Sequence, residues 1–236
     1  MKAFSSKFAG ILILMMAILL VHPPVRSQVV NETTKKKVSI GFGIFTDFWQ
    51  KVPSGIKIRT INQGINLFGL YNVPFGKSPV GFSIGLGIDA HNVYGNFIQD
   101  KSGDTTKLVK IPDTVGFKRS KMTLVYLEIP VEFNLKTKSK IRIGLGFKAG
   151  FLVGSSTKYV GDGRISTSSY KFSTTSKIRF KTWGIPNLEQ FTYGPTASFG
   201  YRWIHVNCYY MLSNVFTKNH GPDMTPISVG LVLMPF

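Results

Sequence analysis

"VYLEIPVEFNLKTKSKIRIGLGFKAGFLVGSSTKY", residues 125–159, alternates in two runs separated by one short turn. Val125, Leu127, Ile129, Val131, Phe133 and Leu135 share one face of a period-two strand, and Glu128, Pro130 and Glu132 share the other. After "KTK" at 136–138, Ile141, Ile143, Leu145, Phe147, Ala149, Phe151 and Val153 oppose Arg142, Gly144, Gly146, Lys148, Gly150 and Gly154. Two consecutive strands thus turn a continuous apolar face one way and small or charged residues the other. An apolar outside around a small, polar inside is the pattern of a narrow barrel embedded in lipid. A soluble ligand-binding barrel would reverse it.

Working outward, the same alternation sets Phe82, Ile84, Leu86 and Ile88 against Ser83, Gly85, Gly87 and Asp89, and Val38, Ile40, Phe42 and Ile44 against Ser39, Gly41 and Gly43. The pattern predicts eight strands near 37–47, 62–72, 79–92, 119–135, 139–156, 189–202, 204–214 and 226–236. Each is long enough for a tilted membrane strand of about 9–11 residues. The connections alternate: short near 73–78, 136–138 and Trp203, long over 48–61, 93–118, 157–188 and 215–225. Tight turns on one rim and larger loops on the other are what a barrel with both chain ends on one side requires. The fold expected is therefore all-β: a single eight-stranded antiparallel transmembrane β-barrel of up-and-down topology.

The beginning of the chain reads as a cleaved signal peptide over 1–27, with Lys2 and Lys7 before the apolar run 8–21 and Val25-Arg26-Ser27 at the cut. A short periplasmic segment over 28–36 and a barrel domain over 37–236 would follow. The last strand ends on Phe236, although Ile227, Val229, Leu231 and Leu233 lie on the opposite face from it. The lone Cys208 allows no internal disulfide and reads as a small apolar side chain.

The inward faces bring charged residues together. Glu128 and Glu132 of the fourth predicted strand should meet Arg142 and Lys148 of the fifth, with Asp89 and Arg202 joining them. Two carboxylates in one place suit acid–base catalysis, but in so narrow a barrel a neutralising salt-bridge network is the better reading. His91 and His205 fall near predicted strand ends, and His220 in a loop. With no G-x-S-x-G segment and no metal-ligand spacing, rim polarity explains them, so no catalytic, cofactor-binding or metal-binding residue is assigned.

A formal net charge of +18 suggests an anionic neighbour. On an exported chain that means outer-membrane lipid and lipopolysaccharide, or other envelope or secretion proteins, rather than nucleic acid. The third long connection holds much of this charge. Its stretch "YKFSTTSKIRFKTW" (170–183) alternates and should turn around Thr174-Thr175, making Lys171, Lys177, Arg179 and Lys181 a candidate anion- or partner-binding set beside Tyr170, Phe172, Phe180 and Trp183. Trp203, Tyr201, Tyr193 and Phe133, near strand ends, fit interfacial girdles.

The 125–159 stretch also resembles the central motif of the Bacteroidetes outer-membrane β-barrel family that includes PorT-like proteins: a "YLEIP" strand, a short turn and a Gly-rich G-x-x-x-G strand. The resemblance implies an eight-stranded outer-membrane barrel and, for PorT-like members, association with the type IX secretion apparatus. It brings no catalytic residues, and Glu128 and Pro130 inherit a structural role from it. The function expected is structural or interactive, with a plugged lumen and basic extracellular loops. Alternatives are an accessory to type IX secretion, a lipid-modifying barrel enzyme, and an exported soluble β-barrel binding protein.

Overall fold

The computed structural model describes residues 37–165, 167 and 174–234. The expected signal peptide (1–27) and periplasmic segment (28–36), together with Tyr170, Lys171, Phe172 and Phe236, lie outside the described residues.

Among the described residues eleven strands are formed: β1 (Val38–Gln50), β2 (Gln63–Pro74), β3 (Val80–Tyr94), β4 (Phe97–Ser102), β5 (Thr105–Lys110), β6 (Phe117–Lys136), β7 (Ile141–Gly163), β8 (Thr174–Trp183), β9 (Phe191–Tyr201), β10 (Ile204–Tyr210) and β11 (Thr225–Leu233). Eight of them close a ring in the order β6-β3-β2-β1-β11-β10-β9-β7, completed by the β6–β7 pairing. All ring pairs are antiparallel, and β1 meets β11 with Phe42 opposite Leu233 and Gln50 opposite Thr225. Closure leaves the ring without an edge, the condition for strands to span lipid. Short turns join β2–β3, β6–β7 and β9–β10 at one end, and the long connections gather at the other.

Alternation puts the residues where the sequence pattern requires. Ile40, Leu86 and Leu145 are exposed by 63, 63 and 65 % on the outside, whereas Ser39, Ser83, Asp89, Arg142 and Lys148 are buried within. Soluble monomers rarely expose contiguous apolar patches beyond a few hundred Å², and here the apolar surface encircles the ring. Aromatics border it at both ends: Phe133, Tyr201 and Trp203 toward the short turns, and Phe191, Tyr193 and Tyr210 toward the long connections, all exposed.

The long connections are more ordered than their sequence suggests. Residues 93–118, expected as a loop, contain the β4–β5 hairpin with Phe97 opposite Lys110. The fifth predicted strand, drawn to 156, continues as β7 to Gly163, and β8 pairs with that extension, Ser156 opposite Trp183 and Gly163 opposite Thr174. The turn expected at Thr174-Thr175 is thus replaced by a continuous strand running from Thr174. β6 and β7 span 20 and 23 residues, about twice what a bilayer crossing needs. With β8 they form a sheet standing beyond the barrel. Ile98, Ile111, Val115, Tyr159 and Ile165 form a small core against it, joined by Ile178 and Phe180.

One irregularity changes facing. Val125 pairs with Gly154 and Tyr126 with Leu152, so the β7 backbone slips one residue at Val153. Such a bulge reverses the parity of everything after it. Gly154, read as inward, shares the outward register of Val125, and Tyr159 turns inward to 1 % exposure.

The glycines of the interior face permit close approach. A Cβ on Gly194 would lie 1.9 Å from the Tyr210 carbonyl oxygen, whereas around Gly69, on the outward face opposite Ile40 and Leu86, nothing lies within 4 Å. Gly194→Ala is expected to cost about 1–3 kcal/mol, because a backbone oxygen in a closed sheet cannot retreat. Gly69→Ala is the matched neutral change. Urea midpoints of the two variants in lipid vesicles check this.

Candidate functional site

The barrel interior is layered. Toward the long connections Val93, Phe97, Met122, Leu124, Tyr126, Met211, Val215, Phe216 and Met224 form an apolar core, with Trp49, Val52, Ile56 and Ile58 packed against it. Toward the short turns a hydrogen-bonded chain crosses four strands. Asn134 Nδ2 donates to Ser83 Oγ (2.8 Å), Ser83 Oγ to Asn72 Oδ1 (2.7 Å), and Asn72 Nδ2 to Ser39 Oγ (2.9 Å).

Ion pairs lie between these layers. Lys148 Nζ sits 2.6 Å from Asp89 Oδ2 and 2.7 Å from Glu128 Oε2, and 3.9 Å from the Tyr209 ring centroid. Arg142 Nη2 meets Glu132 Oε1 at 2.6 Å, and Ser198 Oγ donates to Glu132 Oε2 at 2.8 Å. Inward parity on β3, β6 and β7 brings these residues together, Glu128 opposite Gly150 and Glu132 opposite Gly146, where glycine leaves room for the carboxylates. The structure thus gathers Asp89, Glu128 and Lys148 at one point and Glu132 and Arg142 at another.

Arg202 does not join them. It is exposed in the β9–β10 turn at a φ of 56°, its amide donates to the Lys140 carbonyl (2.9 Å), and its guanidinium lies 5.3 Å from the Tyr201 ring centroid. Alternation assigned it inward, but alternation holds only while the chain stays extended.

A third centre was missed by sequence reasoning. Asp47, fully buried, accepts from Ser228 Oγ (2.6 Å) on Oδ1 and lies 2.9 Å from His91 Nδ1 through Oδ2. His91 is not a rim residue. It is enclosed, packed against Phe45 and Tyr126, and His205 is likewise buried. The signal for Asp47 was present: it continues the Ser39, Gly41, Gly43 parity of the first strand, two turns of alternation past Gly43.

The chemistry open to these groups is narrow. In the Ser228–Asp47–His91 arrangement the carboxylate lies between hydroxyl and imidazole, so the imidazole has no contact through which to take the serine proton. A nucleophilic triad needs the imidazole in the middle. His220 is exposed, and its Nδ1 contacts the Asp104 backbone oxygen (3.0 Å). Asp89, His91 and Glu128 each offer a donor atom within 4.8 Å of the others, a spacing that suits a metal ion. The Lys148 ammonium already bridges both carboxylates there. A cavity of about 60 Å³ remains beside these groups, lined in part by Asn66, Phe68, Thr196 and Asn207.

On the outside, Lys177, Arg179 and Lys181 project from β8, on the face opposite Ile178 and Phe180. Lys181 Nζ lies 3.4 Å from the Trp183 ring centroid.

The sequence matches the outer membrane protein beta-barrel domain family over residues 33–216. Among solved structures it is similar to Ail, the attachment invasion locus protein of Yersinia pestis, at 13 % identity and a TM-score of 0.41, over 85 % of this chain and 98 % of that one. The same protein in complex with the heparin analogue sucrose octasulfate gives 13 % identity, a TM-score of 0.38 and the same coverage. Its backbone structure in a phospholipid bilayer nanodisc gives 14 % and 0.33, over 84 and 98 % of the two chains. No curated protein matches the sequence.

Proposed function

The chain belongs to the outer membrane protein beta-barrel domain family and resides in the bacterial outer membrane, and from that premise we propose that it is a closed-lumen barrel with a structural or interaction role, exercised at the end bearing the long connections. That end would face outward and the short turns would face the periplasm. The observation that carries this reading is the filled interior. Stacked above one another are an apolar core, the Asp47–His91 contact, two ion-pair centres and a hydrogen-bonded chain, with cavities of about 60 and 20 Å³ left between them. Spaces of that size hold a few waters and suit a lumen closed to larger solutes.

The proposed role is non-catalytic. Basic, aromatic-bordered surface at the long-connection end suits an anionic partner at the membrane surface. A place in a secretion complex is one form of such a role and rests on the "YLEIP" resemblance. Co-purification of secretion components with the tagged chain tests it.

The reading as a whole predicts two results for the protein refolded in detergent and moved to planar bilayers. Unboiled protein runs faster on a gel than boiled protein, and the bilayers show no steady conductance. Large steady conductance would mean an open pore and overturn the closed lumen. Recovery as a soluble protein without detergent would overturn the barrel in lipid.

A further inference from the structure

The outer face of the β6–β7–β8 sheet carries cations that the interior does not use. Register aligns them: Lys121 on β6 lies opposite Lys158 on β7, which lies opposite Lys181 on β8. One row farther from the barrel come Arg119, Val160 and Arg179, and one row nearer come Thr123, Ser156 and Trp183. These residues point outward, because their alternates Met122, Tyr159, Ile178 and Phe180 pack inward. The row is bounded by rings. Tyr94, opposite Lys121, lies 5.4 Å from its ammonium and 5.2 Å from the Arg59 guanidinium, and Trp183 lies under Lys181.

Like charges directly opposite on neighbouring strands repel, and strands stand only about 4.8 Å apart. Lys121 sits in the unfavourable field of Arg119 and Lys181. Among the described residues, none of Arg119, Lys121, Lys158, Arg179 and Lys181 has a carboxylate within ion-pair distance. Lys177, the next outward residue on β8, does face an acid in register, Asp162. Lys121 Nζ donates to Asn92 Oδ1 (3.0 Å), but among the described residues no carboxylate balances the positive charge of the row.

Its height identifies the occupant. Below the lysines comes Trp183, a residue type that settles at lipid–water boundaries. Below that begins the apolar belt, with Leu127, Phe151 and Phe191 exposed. The geometry points to a binding site for a phosphorylated glycolipid of the outer leaflet, phosphate oxygens on Lys121, Lys158 and Lys181 and acyl chains along the belt beneath. A soluble polyanion would find the charge but would gain nothing from its continuity with the belt. The inference deepens the proposed function and rests on its outward orientation of the long connections.

The test uses the full chain folded in detergent, titrated with bisphosphorylated lipid A, with lipid A stripped of phosphate, and with heparin, and read by native mass spectrometry. The wild type is expected to retain bisphosphorylated lipid A and to bind the stripped form and heparin at least tenfold more weakly. K121Q/K158Q/K181Q should weaken lipid A binding roughly tenfold to a hundredfold, and K138Q, in the exposed short turn at the opposite end of the barrel, should leave it unchanged. Without lipid A the triple variant should melt close to wild type, since relief of repulsion offsets the lost ring contacts on Tyr94 and Trp183 and the Lys121–Asn92 hydrogen bond, and lipid A should raise the melting temperature of the wild type alone. Equal binding by wild type and triple variant, or heparin binding as tight as lipid A, overturns the site. Unboiled gel mobility separates the two levels: a fast band without lipid A preference defeats this inference and leaves the barrel standing, and a missing fast band defeats both.

Discussion

Replacing Lys148 with methionine is expected to remove about 3–5 kcal/mol of stability, because it strands two carboxylates inside the barrel. Asp89 and Glu128 are 3 and 2 % exposed and share the one ammonium. Asp47 and Glu132 lie in the same interior, where Arg142 is paired with Glu132. Loss of Lys148 thus deepens a negative excess in an interior with room for only a few waters. The attraction of a buried pair does little more than offset its desolvation, so removing one partner is far worse than removing all. K148M should show little unboiled fast-migrating band after refolding, and a urea midpoint well below wild type. The triple variant D89N/E128Q/K148M keeps the volumes and removes the charges, and should recover most of the loss. If K148M folds like wild type, the ammonium is not holding the two carboxylates, and the central ion-pair centre has no structural role.

Leu145→Arg should cost about 2–4 kcal/mol in a bilayer, the range for a cation on the lipid face near mid-membrane. Leu145 is 65 % exposed, on the outward face of β7 between Phe133 and Ala197. If that face met water, arginine there would be close to neutral or would improve solubility. Outward position and lipid contact therefore predict opposite signs for one substitution. Urea titration in phosphatidylcholine vesicles measures it, with Lys181→Arg as a same-charge reference on the sheet beyond the belt. An unchanged midpoint for L145R would argue that the belt is covered by something other than lipid.

Much of this molecule can be read from alternation. Leu145 and Lys148 differ in parity on one strand, and that difference alone sends one into the belt and the other into the lumen. The "KTK" turn and the one after Tyr201 are short for the same reason: antiparallel neighbours need few residues to reverse. Glu128, Glu132, Arg142 and Lys148 could be placed in one lumen from sequence, because they face inward on adjacent strands; which acid meets which base came from the structure.

What failed did so where the backbone stops repeating. Arg202 had inward parity, but it sits in a left-handed turn conformation and leaves the strand pattern there. Gly154 had inward parity too, until the bulge at Val153 reversed it. The turn placed at Thr174-Thr175 fell inside β8, since the partner of that segment is β7 rather than its own neighbouring residues. His91 was taken for a rim residue because its partner, Asp47, lies 44 positions away.

The amino-acid sequence by itself determined the all-β class, the eight-strand ring, the lipid-facing side of the first, third, fourth and, up to Val153, fifth predicted strands, and the charged character of the lumen. These follow from a local period of two and from connection lengths, and both are written residue by residue. Only the tertiary structure decided that Lys148 serves two acids, that Ser228, Asp47 and His91 form a closed set, and that Lys121, Lys158 and Lys181 stand in one row. Those facts depend on register between strands distant in the chain, which is settled by ring closure and by a single bulged residue.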